Sequence, residues 1–287
     1  MNNFWARTIT GLSMVFILIA ALFLNEWVFA AVFLVVVILG LREFYGLITT
    51  TNRQPQKIYG TIAGVLTYLA ILGIKIINRP GIILLPDWIT FSLPLLLVLP
   101  VILLFLTFII EIYRKLPDPL TNVALTILGI LYIALPLALL NLLDSEQVHH
   151  FAGLPSILTG YFLLTWFYDT GAYLFGKQFG KHKFFERISP RKTWEGTIAG
   201  AVVAFLTATG LFYLVRDIPL ADWYALTIIV LVFGTFGDLI ESLFKRCLDV
   251  KDSGSILPGH GGILDRFDTL FISAPFVFLY FFLRYSI

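Results

Sequence analysis

Residues 237–268 gather charge in a chain that is otherwise greasy. Asp238, Glu241, Asp249, Asp252, Asp265 and Asp268 stand among Lys245, Arg246, Lys251, His260 and Arg266. Carboxylates and cations kept beside membrane spans are costly, and chemistry on a charged substrate is the usual reason to keep them. An oxygen-only donor set suits Mg²⁺, which takes one or two carboxylates and shares its remaining shell with phosphates and water. The stretch therefore points to metal-assisted chemistry on phosphate at a membrane surface.

Spacing separates the members. Asp238 and Glu241 lie three apart, so on a helix they share a face, and Glu241 precedes Lys245 by four in the favourable order. A charge-paired helix end accounts for Glu241 and Lys245 but leaves Asp238 unpaired about a turn deeper, so Asp238 reads as a metal ligand or a base. Asp265 and Asp268 are again three apart, at the mouth of the last apolar run, and Asp265 would meet Asp238 across the bundle. Two carboxylates from different helices sharing a cation are the minimum of a Mg²⁺ site for phosphate chemistry. His260 sits in a Pro-Gly-His-Gly-Gly turn, where a structural role and a functional one are equally open.

A second polar stretch, residues 176–196, carries six cations and the acid Glu186 before Glu195. Attraction of a basic loop to anionic lipid is the plain explanation. The glycines argue for more: Gly176 and Gly180 would flank a turn whose N–H groups approach an anion, with Lys177 and Lys181 beside it. Ser189-Pro190, ahead of Lys192-Thr193, reads as the entry to the next helix, whose N-terminus also favours phosphate. Phe184 and Phe185 could dip into the interface beside an acyl chain. Asp169, inside an apolar run, either orients Lys177, helps a metal, or is a paired structural carboxylate. Glu43, beside Arg42 near a helix end, reads as structural.

These loops need a scaffold, and composition says which kind. With 59% hydrophobic residues, 13% charged residues and a mean hydropathy of +0.90, the chain lies far from soluble domains. It reads as an all-α, polytopic integral membrane protein. A span takes roughly 20 apolar residues, which places about nine transmembrane helices near 8–24, 27–48, 60–77, 91–113, 121–143, 153–176, 195–215, 222–243 and 269–285. Three regions follow: 1–78 with spans one to three, 79–152 with spans four and five, and 153–287 as the catalytic membrane region with cytoplasmic loops 177–194 and 244–268. The first two spans form a tight hairpin or one long helix, and the first lacks a cleavage signal, so it reads as retained. Pro100, Pro136 and Pro275 fall inside spans, where neighbours can satisfy the freed carbonyl. One cysteine, Cys247, excludes an internal disulfide, and no Cys/His group has zinc spacing. No nucleic-acid module is visible.

Nine crossings from a cytoplasmic N-terminus put 16 of the 20 Lys and Arg residues on the inner side. Lys75, Arg79, Arg216 and Arg284 remain outside. Both polar loops then face the cytoplasm, across the inner membrane, where nucleotides are.

The run Ser242, Lys245-Arg246, Lys251-Asp252, Gly254, Leu257-Pro258, His260-Gly261-Gly262, Asp265-Arg266 and Asp268 closely resembles the signature of phosphatidate cytidylyltransferases, also called CDP-diacylglycerol synthases. Asp169, Gly176-Lys177, Gly180-Lys181, Ser189-Pro190-Arg191-Lys192-Thr193 and Glu195-Gly196 resemble the same family's second segment. The resemblance covers about residues 160–285; the first 150 match only as a series of spans.

It implies that CTP and phosphatidate give CDP-diacylglycerol and pyrophosphate, with Mg²⁺ held by Asp238 and Asp265, in a pair that can include a monovalent cation such as K⁺. It also implies nine transmembrane helices and a homodimer. Lys177, Lys181, Arg191 and Lys192, with Lys245 and Arg246, would clamp phosphates; Asp169, Ser189, Lys251 and Arg266 would line the substrate site. Asp252, His260 and Asp268 would support the chemistry, the aspartates from behind the immediate metal ligands. Two other classes use similar features: a CTP-dependent lipid kinase that transfers the γ-phosphate, and a transporter for a phosphorylated anion. The chain lacks the paired broken halves usual in transporters.

Overall fold

The computed structural model describes residues 3–50, 52–77, 92–143, 150–151, 154–257, 259 and 261–285. Nine helices run through them: α1 (Asn3–Leu24), α2 (Glu26–Ile48), α3 (Lys57–Ile77), α4 (Ser92–Arg114), α5 (Pro119–Leu143), α6 (Ser156–Phe179), α7 (Trp194–Leu214), α8 (Leu220–Cys247) and α9 (Leu264–Tyr285). Two short antiparallel pairs accompany them, β1 (His150–Phe151) with β2 (Leu154–Pro155) and β3 (Lys183–Phe185) with β4 (Ser189–Thr193). The all-α reading holds, with small hairpins added.

Among the described residues, seven helices are long and apolar enough to cross a membrane: α2, α3, α4, α5, α7, α8 and α9. In α1 the apolar stretch is shorter, Thr10–Leu24. Helix α6 has 24 residues, but Asp169, Lys177 and its tyrosines, threonines and glycines dilute its apolar character. The break between α1 and α2 is capped, so the two are separate helices. The Asn25 side chain accepts a hydrogen bond from the Val28 N–H at 2.9 Å, satisfying one of the orphan donors at the start of α2.

Pro100 and Pro275 lie within α4 and α9. Pro136 follows a single π-turn, Ile130–Ala134, in α5. A ring that cannot donate and crowds the carbonyl four residues back explains a widened turn there. A second π-turn, Val230–Gly234, occurs in α8 without a proline, immediately before the turn that carries Asp238. Such wide turns are often found at functional sites.

The chain folds as two compact units, Met1–Glu146 with Asp252–Phe267, and Gln147–Lys251 with Asp268–Ile287. In the first, Phe29, Phe33, Val37, Leu41 and Tyr45 of α2 are buried, as are Ala63 and Tyr68 of α3 and Ile133 and Leu137 of α5. Several of its buried polar groups are paired. Glu111 accepts from Gln56 Nε2 at 2.8 Å and Asn122 Nδ2 at 2.9 Å, and pairs with Arg114 at 2.7 Å. Lys75 and Glu26 form a further pair at 2.9 Å.

In the second unit, α6 and α7 cross through small residues. A Cβ on Gly196 would lie 2.6 Å from the Ala172 carbonyl oxygen and 2.8 Å from Gly176 Cα, and one on Gly200 would lie 2.8 Å from the Tyr168 carbonyl oxygen. Small residues at a membrane helix crossing let backbones approach and add van der Waals contact. At the far end of this unit Asp222 is buried and accepts from Tyr280 at 2.6 Å, from Tyr285, and from Arg284 Nε at 3.3 Å.

Candidate active site

The acidic centre of the second unit is built by backbone contact. Gly234 and Gly237 of α8 face the start of α9: a Cβ on Gly237 would overlap the Asp268 carbonyl oxygen and lie 3.1 Å from Thr269 Cα. A Cβ on Gly234 would lie 2.7 Å from Thr269 Cγ2. With glycine at both positions the helices touch, and the next turn of α8 brings its polar face to Asp268. One carboxylate oxygen each from Asp238, Glu241 and Asp268 then lies within 4.8 Å of the others.

Lysines complete the group. Lys192, from β4, places Nζ 2.5 Å from Asp238 Oδ2. Lys245 places Nζ 2.6 Å from Glu241 Oε2, the helical pair expected from the spacing. Asp238, which has no cation three or four residues away on its own helix, thus obtains one from 46 residues upstream, through a hairpin the sequence reading did not foresee. Ser242 Oγ approaches Asp238 Oδ1 at 3.4 Å. Asp169 is exposed on α6 and feels the charges of both Lys192 and Asp238.

The hairpin corrects two readings of the basic segment. Ser189-Pro190 does not begin a helix: it opens β4, with Phe185 opposite Ser189 and Lys183 opposite Thr193. Helix α7 starts at Trp194, capped by Thr193, whose side chain accepts from the Gly196 N–H at 3.3 Å. Gly176 and Gly180 do not flank an anion-binding turn either. Helix α6 runs through Gly176 to Phe179, and a Cβ on Gly180 would lie 2.6 Å from Thr193 Oγ1. These glycines serve close packing. Glu195 instead organises the loop: it accepts from the Lys181 N–H at 3.0 Å and meets His182 Nδ1 at 2.5 Å. Phe184 packs edge-on against Trp194, centroids 4.5 Å apart, and Phe185 is exposed.

The remaining cations ring this segment. Lys177, Lys181 and Arg191 are exposed and Ser189 is half-buried. Exposed Arg246 directs Nε to the Ile188 carbonyl oxygen at 3.4 Å, so the end of α8 meets the hairpin turn. Lys251 is exposed.

Asp265, with Asp252 and Arg266, belongs to the first unit. Asp252 and Arg266 are exposed there. Asp265 Oδ2 accepts from the Ser253 N–H at 3.0 Å and the Gly262 N–H at 2.9 Å, and Ser253 Oγ lies 2.9 Å from it. His260 and Pro258 lie outside the described residues, but Gly259 and Gly261 beside them have φ of +77° and +81°, the left-handed backbone a tight turn demands. Glu43, read as structural, reaches this turn from α2. Its carboxylate meets Ser253 Oγ at 2.5 Å and accepts from the Ile263 N–H at 2.8 Å and the Leu264 N–H at 3.0 Å. The signal that could have found it was an acid within an apolar helix.

The acidic group fits a divalent cation by donor chemistry. It is carboxylate oxygen throughout, and opposite ligands of an octahedral Mg²⁺ stand about 4.2 Å apart, twice its bond length. The three oxygens, within 4.8 Å of one another, lie at that scale.

The cytidylyltransferase family matches this chain over residues 5–284. The chain belongs to the cytidylyltransferase family. Among its relatives, a phosphatidate cytidylyltransferase of Staphylococcus haemolyticus is 39% identical over 217 residues, 70% of this chain and 79% of the relative. Those of Staphylococcus aureus and Bacillus subtilis are 53% identical over 116 residues and 51% over 118. Each of these two shorter matches spans 40% of this chain and 44% of the relative, less than half its length. In this cytidylyltransferase-family chain the acidic group and hairpin fall in the same region as the sequence resemblance.

Proposed function

We propose that the chain is a phosphatidate cytidylyltransferase, a nucleotidyltransferase of phospholipid biosynthesis that makes CDP-diacylglycerol and pyrophosphate from CTP and phosphatidate. The observation that carries this is the convergence of Asp238, Glu241 and Asp268 oxygens within 4.8 Å, with Lys192 on Asp238, in a member of the cytidylyltransferase family. The relatives' names supply the substrate pair.

An oxygen of the phosphatidate phosphate attacks the α-phosphorus of CTP in line. The bond from that phosphorus to the α–β bridging oxygen breaks, and pyrophosphate leaves with the electron pair. An ionised phosphate monoester is already a nucleophile, so no strong general base is needed. Asp238, Glu241 and Asp268 would hold Mg²⁺, and the family resemblance adds a monovalent cation such as K⁺. When bound, the divalent ion neutralises charge that grows on the transferring and leaving phosphates. For Asp265 as a ligand the support is the motif alone. Lys177, Lys181, Arg191, Lys192 and Arg246 hold phosphate oxygens and orient the triphosphate.

Reconstituted protein is expected to release pyrophosphate only when CTP and phosphatidate are both present with Mg²⁺. Release with diacylglycerol in place of phosphatidate would contradict the substrate assignment.

Nine crossings with both polar loops in the cytoplasm, and a homodimer, complete the proposal; 16 of 20 basic residues fall inside in that arrangement. Cys247, the one cysteine, is exposed at the end of α8. An impermeant thiol reagent should label it in inside-out vesicles and not in intact cells. Labelling from the outer face of sealed cells would reverse the orientation.

A further inference from the structure

We infer that Glu43 is a positioning residue for Asp265, holding the glycine-rich turn of the signature in register from α2. The inference rests on the proposed cytidylyl transfer, and every residue it joins, Glu43, Ser253, Ile263, Leu264 and Asp265, lies in the first unit.

The geometry is specific. Glu43 is buried at 8% exposure, and both its oxygens are used. Oε1 receives Ser253 Oγ at 2.5 Å and the Leu264 N–H at 3.0 Å; Oε2 receives the Ile263 N–H at 2.8 Å. The two amides are orphan donors at the start of α9, so Glu43 caps that helix from a distant part of the chain. Ser253 is the link: the hydroxyl that meets Glu43 also lies 2.9 Å from Asp265 Oδ2. Through it, and through the amides of Ser253 and Gly262, one Asp265 oxygen is fixed by three contacts.

The signature glycines make room for this carboxylate. A Cβ on Gly254 would lie 2.8 Å from Glu43 Cδ, and one on Gly262 would overlap Glu43 Oε1 and Ser253 Oγ. On Gly261, at φ +81°, it would overlap Asp265 Oδ2. An acid kept within an apolar helix is otherwise expensive, and here its hydrogen bonds among the described residues lead to the turn that carries Asp265.

The test uses the full chain in phosphatidate-containing vesicles, with Glu43→Gln, Ser253→Ala and Asp265→Asn compared side by side. In Glu43→Gln one acceptor oxygen becomes a donor facing N–H or O–H groups. Its kcat is expected to fall about 10- to 100-fold, the scale of a sub-ångström to ångström misplacement, while KM for phosphatidate stays within about twofold. Amide exchange at Ile263 and Leu264 should quicken, and Glu43→Asp should recover part of the lost kcat. Ser253→Ala, a milder change that keeps the cap, should lose about 10-fold in kcat. Wild-type kcat in Glu43→Gln or in Ser253→Ala, beside an inactive Asp265→Asn, would overturn the inference and leave the cytidylyl-transfer reading standing. So would parallel loss of kcat, KM and thermal stability, the mark of a merely structural residue. Wild-type turnover in Asp265→Asn would instead remove Asp265 from the chemistry itself.

Discussion

Asp238→Asn is expected to lower turnover at least ~100-fold, about 2.7 kcal/mol of transition-state stabilisation. The substitution keeps volume and removes the charge that Lys192 neutralises at 2.5 Å. It also takes one oxygen ligand from the group formed with Glu241 and Asp268. Charge grows on the phosphates mainly in the transition state, so the loss should fall on kcat more than on phosphatidate binding. Raising Mg²⁺ or Mn²⁺ should restore part of the rate, because the site is weakened and not erased. Combining it with Asp268→Asn should cost little beyond either single change, since residues acting as a unit are not additive. Steady-state rates across a Mg²⁺ titration check this. Wild-type turnover with unchanged Mg²⁺ dependence would remove Asp238 from the site.

Lys192→Met is expected to raise KM for CTP about 10-fold and, in the opposite sense, to reduce the Mg²⁺ concentration giving half-maximal rate. Both follow from one placement. The Lys192 side chain is 25% exposed, against 33% for Asp238, so the pair is within reach of an incoming triphosphate. A cation arriving at Asp238 competes with the ammonium there, and the released lysine becomes a phosphate donor on the same side of the site. Methionine keeps the stem and its packing while deleting the charge, so competition and clamp disappear together. A variant with both constants unchanged would show that the lysine stays on Asp238 throughout and touches no phosphate. Kinetics with CTP and Mg²⁺ varied independently separate the two effects.

The helical framework was legible because it is written locally. Apolar runs of span length, interior prolines and Asn25 between two runs each act within a turn or two of themselves. Asp238, Glu241 and Lys245 were legible for the same reason, since three- and four-residue spacing fixes a helix face. What joins them was not. Asp268 reaches Glu241 and Asp238 because Gly234 and Gly237 permit backbone contact with α9, and periodicity carries no information about such a crossing. Lys192 arrives by a hairpin whose short strands, Lys183–Phe185 and Ser189–Thr193, are hidden in a charged stretch. Gly176 and Gly180 suggested a phosphate loop, yet a glycine chosen for helix packing and one chosen for anion approach look identical in a string of letters. Glu43 stood more than 200 residues from the turn it caps, beside an arginine that offered a simpler partner.

The central claim is transfer of a cytidylyl group, and the fate of the phosphorus decides it most directly. Purified protein in phosphatidate vesicles is given CTP labelled at the α- or the γ-phosphorus, with Mg²⁺. The account predicts α-label in the lipid product and γ-label in pyrophosphate. Lipid labelled from the γ-phosphorus alone would contradict it and make the chain a CTP-dependent kinase.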